Sequence, residues 1–315
     1  MTSESREASL APDDAFGLLG NQIRMEILHT LGSEAEPVSF SALREAVGVR
    51  DSGQFNYHLE KLTDHFIAKT ESGYTLRQPG QRVIQAVLSG AITEDPVLER
   101  TPTELPCFYC GTPIDVSYRD GEVRMHCGDC PQTDAAESDT DNSVPPEQQE
   151  LLGFVRLPPA GIVDRSAEEV LESAYTWYYN QVLTMADGVC PRCSAALDHP
   201  VTACDDHDFS EGYCEQCGHR SAARITYRCP NCSFERELGF SNHFLNNPDL
   251  QRFALDHGVE VVSPSFERVY ASVGSNETEV ISTDPFEARI TYEVSDASLT
   301  LTVDGELSVT GITRN

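Results

Sequence analysis

Eleven cysteines occur in the 315 residues, and nearly all stand in pairs with two residues between them. The pairs are Cys107/Cys110, Cys127/Cys130, Cys190/Cys193, Cys214/Cys217 and Cys229/Cys232, while Cys204 is answered by His207 at the same spacing. Two soft ligands so spaced grip one side of a tetrahedral ion, and two such pairs complete its shell. Twelve ligands therefore predict three Zn2+ ions, all structural, because a closed tetrahedral site has no open position for a substrate. A redox dithiol is the alternative use of the first four cysteines. The sequence carries no glycine-rich phosphate loop, serine-nucleophile elbow or HExxH helix. The expectation is that this is not an enzyme.

Short strands must bring these ligands together. Between Cys107/Cys110 and Cys127/Cys130, Ile114–Tyr118 and Glu122–His126 read as strands turned at Asp120-Gly121, a strong hairpin signal. The hairpin returns the second pair to the first, which predicts a four-cysteine zinc ribbon over 104–133. In the module 188–234, consecutive pairing would join Cys214/Cys217 to Cys229/Cys232. Ser221–Arg228 has no turn signal, however, and eight extended residues span roughly 26 Å. Alternate pairing is the favoured expectation: Cys190/Cys193 with Cys214/Cys217, and Cys204/His207 with Cys229/Cys232. His199 and His219 are rivals for the histidine ligand.

Around these modules, 134–150 is acidic and proline-containing and reads as a flexible linker. Residues 151–315 read as an α+β domain containing the second zinc module. Ser166 and Glu169 form a capping box ahead of a helix to about 186, with Val170, Ala174, Trp177, Tyr178, Val182 and Met185 expected on its buried face. A helix over Pro248–His257 follows. Strands are expected at Val259–Val262, Glu279–Ser282, Ala288–Val294, Leu299–Val303 and Leu307–Thr310, packing on the 166–186 helix. Glu94–Glu104 reads as a charged linker, and 1–12 as a disordered tail.

The first third has no cysteine and another logic. Phe16, Leu19, Ile23, Ile27, Leu28 and Leu31 fall on one helical repeat, and Ser39 can cap a short helix that ends at Gly48. Asp51 or Ser52 can cap a helix whose Phe55, Leu59, Leu62 and Phe66 share a face, with Gln54 placed to complete a capping box. Its other face holds Gln54, Tyr57 and Lys61. A hairpin folded at Ser72-Gly73 and a helix over Pro79–Ser89 follow. This order predicts a winged helix-turn-helix over 13–92, with recognition helix 52–63 and wing 67–77. Ser52, Gln54, Tyr57 and Lys61 are the candidate base contacts, and Lys69 and Arg77 the candidate phosphate contacts.

A net charge of −29 opposes DNA binding, which draws on cations that neutralise phosphates. The chain has two lysines, Lys61 and Lys69, and both lie in this helix and wing. Abundant acids with almost no lysine resemble haloarchaeal proteins, and concentrated salt screens long-range repulsion to a few Å. The phrases LLGNQIRMEIL, SFSALREAVGV, DSGQFNYHLEKL and ESGYTLRQPGQRVIQAVLSG resemble haloarchaeal ArsR-type winged-helix transcription regulators, which often carry a downstream zinc-binding region. That resemblance covers about 13–92. It implies a three-helix core with a wing, a homodimer and operator binding to double-stranded DNA. Metal-sensing members carry cysteines in or near the recognition helix, and this chain has none before Cys107.

The fold class expected is therefore α+β and multidomain: a winged helix-turn-helix, a four-cysteine zinc ribbon, and a C-terminal α+β region with a Cys/His zinc module. The function expected is transcription regulation, with a protein partner or effector engaged through the C-terminal domain. The alternative is a zinc-stabilised interaction scaffold whose winged helix binds protein. With no signal peptide and no apolar run of about 20 residues, a cytoplasmic protein free of the membrane is expected.

Overall fold

The computed structural model describes residues 10–107, 110–129, 150–208, 214–219, 221–259 and 276–315. Two compact units divide the chain, Met1–Glu94 and Asp95–Asn315. Among the described residues, no helix is long and apolar enough to cross a membrane. Residues 1–9 of the expected tail and 134–149 of the expected linker lie outside the described residues.

The first unit begins with α1 (Pro12–Leu19) and α2 (Gln22–Gly32). A single helical repeat was expected here, but the helix breaks at Gly20-Asn21. Asn21 caps α2 by accepting the Arg24 backbone N–H at 3.2 Å, and Phe16 is left 74% exposed instead of buried. Ser39 then caps α3 (Phe40–Val47), and Gly48 ends it in the left-handed conformation. Asp51 caps α4 (Ser52–Leu62), its Oδ1 accepting the Gln54 backbone N–H at 2.6 Å. Such a cap contributes about 1 kcal/mol. The Gln54 side chain makes no return bond among the described residues, so the capping box is half formed.

Strands β1 (Ile67–Lys69) and β2 (Tyr74–Leu76) pair antiparallel, and α5 (Gln78–Leu88) closes the unit. Gly73 has a reason beyond its turn. It lies so close to the Val38 backbone, which bridges Tyr74, that a Cβ would meet the Val38 carbonyl oxygen at 2.4 Å. The core joins Ile27, Leu28 and Leu31 of α2 to Leu43, Phe55, Leu59, Leu62 and Ile84, with Phe40 edge-on to Phe55 at 5.1 Å.

The second unit opens with a four-stranded antiparallel sheet, β3 (Leu98–Pro106), β4 (Pro113–Arg119), β5 (Glu122–His126) and β6 (Leu151–Arg156). Most of the stretch expected as a charged linker is thus strand β3. Its Pro102 and Pro106 are tolerated because β3 lies at the sheet edge and its pairing is broken by irregularities. The hairpin expected as a free-standing ribbon is β4–β5, the middle of this sheet. Asp120 and Gly121 turn it with φ of 55° and 76°, the two positive angles of a tight hairpin.

Helix α6 (Ala167–Ala186) starts at a complete capping box, Ser166 N–H to Glu169 Oε2 at 2.8 Å and Glu169 N–H to Ser166 Oγ at 3.3 Å. It packs on the β3–β6 sheet rather than chiefly on the C-terminal strands. Its buried stripe includes Tyr175 and Tyr179, whereas Trp177 is 47% exposed. The Tyr175 hydroxyl reaches Met125 Sδ at 3.4 Å, and Tyr118 donates to the Leu157 carbonyl at 2.9 Å.

A three-stranded sheet, β7 (Val201–Ala203), β8 (Ala223–Arg228) and β9 (Glu235–Gly239), then leads through a 3-10 helix (Phe240–Asn246) into α7 (Pro248–Asp256). The meander β10 (Asn276–Thr283), β11 (Phe286–Val294), β12 (Ala297–Asp304) and β13 (Val309–Arg314) ends the chain. It rests on β8 and the 3-10 helix, and Tyr292 donates to the Ser241 carbonyl at 2.9 Å. The last strand starts two residues later than the expected Leu307–Thr310 and runs on to Arg314. Asp304 Oδ1 accepts the N–H groups of Glu306 and Ser308, and this longer loop delays the return. The strand expected at Val259–Val262 lies outside the described residues except for Val259. One continuous core runs from Cys107 to Leu307, so ribbon sheet, cysteine module and C-terminal strands form one body.

Candidate metal centres

Local backbone geometry builds the ligand pairs. At Cys107, Cys190, Cys214 and Cys229 the residue four positions on has positive φ: Gly111 75°, Ser194 61°, Gly218 71° and Ser233 54°. The chain there curls back on itself. Gly111, Ser194 and Gly218 donate to the carbonyls of Cys107, Cys190 and Cys214 at 3.0, 2.9 and 2.8 Å. Each leading cysteine then donates across the loop, Cys107 to Thr112, Cys190 to Ala195, Cys214 to His219 and Cys229 to Phe234, at 2.7 to 3.0 Å. The curl swings both thiols of a pair to one side. Its sequence signal is a glycine or serine directly after the second cysteine, a cue beyond the cysteine spacing itself.

Three clusters result, each with its ligand atoms within 4.8 Å of one another: Cys190, Cys193, Cys229 and Cys232; Cys204, His207, Cys214 and Cys217; and Cys107, Cys110 and Cys127. Cys130, expected as the fourth ligand of the last, lies outside the described residues. Neighbouring ligand atoms are 3.6 Å apart for Cys190/Cys232, 3.5 Å for Cys193/Cys229, 4.0 Å for Cys204/Cys214 and 3.5 Å for Cys217/His207 Nδ1. Cys110 and Cys127 are also 3.5 Å apart. A tetrahedron with Zn–S bonds of about 2.3 Å has edges of about 3.8 Å, so the sulfurs already stand at the spacing of a shared ion.

The alternate pairing is overturned, and so is the consecutive one. The arrangement is nested, outer pair with outer pair and inner with inner. Strand β7 runs antiparallel to β8, with Val201 opposite Ile225 and Ala203 opposite Ala223, and Asp198 bridges Arg228. The chain leaves Cys190/Cys193, travels the length of β7 to Cys204/His207, and meets Cys214/Cys217 there. It then returns along β8 to Cys229/Cys232. The length of β8 does separate Cys214/Cys217 from Cys229/Cys232, but the outgoing strand spans the same distance. Of the histidines, His207 joins a cluster. His199 instead stacks against Tyr227 and His243, at 6.4 Å from each.

Hydrogen bonds already favour thiolates. The Thr112 hydroxyl lies 2.9 Å from Cys110 Sγ and, with the backbone, pulls that thiol down to about 7. The Asn231 side chain pulls Cys193 to about 6, and backbone N–H groups led by Asp208 pull Cys214 to about 6. Burial pushes Cys204 up to about 11 and Cys232 to about 12. Each four-ligand cluster thus pairs one thiol that ionises readily with one whose burial opposes ionisation until a cation is supplied. This donor set suits a soft divalent ion, and zinc fits it.

In the first unit, Ser52, Gln54, Tyr57 and Lys61 are all exposed on α4, while its Phe55, His58, Leu59 and Leu62 are buried. Lys69 and Arg77 are exposed on the hairpin side. Each lysine has an aromatic neighbour, Lys61 Nζ 5.7 Å from the Tyr57 ring centre and Lys69 Nζ 5.9 Å from that of Tyr74.

A helical unit with a two-stranded hairpin, followed by an α+β unit gathering three metal-ready cysteine clusters, defines a two-unit protein of mixed α+β class. The chain belongs to the family described as "Domain of unknown function (DUF7351)", whose model matches residues 104–309. A second model, "Domain of unknown function (DUF7347)", matches residues 12–87. No curated protein matches the chain. No solved structure matches it either. The first match spans the ribbon hairpin, both nested clusters and most of the C-terminal strands, in keeping with their single core.

Proposed function

We propose that this chain is a DNA-binding transcription regulator. Its first unit is a winged helix-turn-helix with α4 as recognition helix and β1–β2 as wing, and its second is held together by three structural zinc ions. The observation that carries this reading is the split of α4. Phe55, His58, Leu59 and Leu62 are core, Ser52, Gln54, Tyr57 and Lys61 are exposed to solvent, and the two lysines of a −29 chain are Lys61 on this helix and Lys69 on the hairpin behind it. An amide and a phenol near the start of a helix suit base edges in a major groove, and the lysine and arginine of a wing suit phosphates.

In this reading the protein acts as a homodimer, and the exposed apolar side chains of the first unit outside α4, Phe16, Leu88 and Ile92, supply subunit contact. The same residues favour the second reading, an interaction scaffold that binds protein through this unit. Neither reading requires catalysis, and the chain is not an enzyme in either.

The test is a binding series on operator and scrambled duplexes, selected from a random pool and measured at fixed molar salt. Gln54→Ala relaxes sequence preference, since a bidentate amide–adenine pair discriminates by roughly 1–3 kcal/mol. Lys69→Ala weakens all duplexes about equally, because a phosphate contact carries no base information. If the wild type selects no duplex at all, the scaffold reading replaces this one.

A further inference from the structure

The three clusters differ in how far their sulfurs stand from solvent. Cys190, Cys204, Cys214 and Cys229 are buried and Cys193, Cys217 and Cys232 half-buried, whereas Cys110 of the ribbon cluster is exposed. Its described partners are the reverse, Cys107 at 0% and Cys127 at 1% exposure. The backbone explains the contrast. Cys110 lies in the connection between β3 and β4, on the curl that Gly111 closes. Cys127 follows directly on β5, its N–H donating to the Glu150 carbonyl at 2.9 Å. The two sulfurs are 3.5 Å apart, and the Thr112 hydroxyl lies 2.9 Å from Cys110 Sγ and 3.5 Å from Cys127 Sγ.

A coordinating thiol is already ionised, so access decides which sulfur an oxidant reaches first. An accessible thiolate with a second thiol in contact is the arrangement that closes to a disulfide. Closure brings the sulfurs from 3.5 Å to about 2 Å, and the movement falls on connecting backbone at Cys110. We propose that Cys110 and Cys127 form an oxidant-responsive dithiol, closed by hydrogen peroxide with loss of the ion from the ribbon cluster. The Cys110 thiolate attacks one peroxide oxygen and the O–O bond breaks. The departing hydroxide is protonated from solvent, and Cys110 is left as a sulfenic acid. The Cys127 thiolate then attacks the Cys110 sulfur, the S–O bond breaks, and a second hydroxide leaves and is protonated. Two thiolates are oxidised to one disulfide, and one peroxide is reduced to two waters. The disulfide joins the same two segments, the β3–β4 connection and the end of β5, so the surrounding sheet persists. The proposal rests on the ribbon ion of the function proposed above and is independent of DNA binding.

The experiment adds hydrogen peroxide in steps to zinc-loaded, full-length protein in molar KCl, free of reductant. A colorimetric indicator follows the metal, and alkylated samples are digested and mapped by mass spectrometry. Arg119 and Arg124 lie between the two cysteines, so trypsin turns the disulfide into a cross-link between separate peptides. The first ion per chain is expected to leave as the Cys110–Cys127 disulfide forms, while the 190–232 module keeps its two. Dithiothreitol with added zinc reverses the change. Cys110→Ser would damage the site itself, so Thr112→Val serves as the variant that keeps every ligand. A hydrogen bond that stabilises a thiolate lowers its nucleophilicity, so this variant releases the first ion roughly twofold or more faster. Metal content before peroxide tests the ion, and the disulfide map tests the pair, so the two failures are distinguishable. A first disulfide between any other cysteines overturns the proposal, as does loss of metal from all three sites together. An unchanged rate in Thr112→Val overturns Cys110 as the attacking sulfur.

Discussion

Nested ligand pairing makes a sharp prediction for paired substitutions. Apparent zinc-binding energies of structural sites are about 10–16 kcal/mol, so equal division over four ligands gives roughly 2.5–4 kcal/mol each. Loss of one thiolate then weakens a site by about 10²–10³-fold, since about 1.4 kcal/mol is tenfold. A competing chelator can be set in that gap, so that intact sites hold metal and damaged ones lose it. Cys190→Ser with Cys232→Ser, whose sulfurs lie 3.6 Å apart, damages one site and releases one ion per chain. Cys190→Ser with Cys214→Ser damages two sites and releases two ions. Under alternate pairing the second combination would strike a single site and release one. The assay is elemental analysis of the gel-filtered protein, with metal release followed by a colorimetric zinc indicator. Release of one ion by Cys190/Cys214 and two by Cys190/Cys232 would refute the nested geometry. Release of two by both would also count against it, because consecutive pairing, or damage that spreads from one site to the other, gives that outcome.

Other substitutions probe the folding of each unit. Gly73→Ala sets a Cβ 2.4 Å from a backbone oxygen that cannot swing aside, at a φ of 149° that L residues rarely adopt. It should lower the stability of the first unit by roughly 2–4 kcal/mol in chemical denaturation without changing metal content. Burial, with His199 nearby, lowers the His243 pKa to about 4, and its Nδ1 lies 2.7 Å from the Tyr227 hydroxyl. The unfolded chain binds this proton near pH 6.5 and the folded chain does not. The stabilisation is therefore complete above pH 6.5 and lost as pH falls toward 4, a change of roughly 3 kcal/mol at most. His243→Phe should flatten that slope in melts of the metal-loaded protein, and an unchanged slope would show that other groups set it.

The sequence alone determined whatever depends on a few neighbouring residues. Ser39, Asp51 and Ser166 cap their helices because an N-terminal turn needs only a side-chain oxygen three residues away. Asp120-Gly121 turns its hairpin because two positive φ angles are a local matter, and the loops that begin at Cys107, Cys190, Cys214 and Cys229 curl for the same reason. Even the partnership of the outer pairs had a trace in the sequence. Cys190–Ser194 and Cys229–Ser233 are both Cys-Pro-x-Cys-Ser, a likeness that spacing arguments ignore.

Tertiary structure decided what depends on segments distant in the chain. Residues 94–104 look like a linker because charges and prolines are poor strand formers, yet an edge position beside β4 makes a strand of them from Leu98 on. Trp177 was expected inside α6 and lies outside, since the sheet beneath selects the stripe through Tyr175 and Tyr179, and periodicity alone cannot fix the angle of a face. Which cysteine pairs share an ion was settled by β7 running antiparallel to β8. Sequence spacing measures distance along the chain, and only the register of those strands converts it into distance in space.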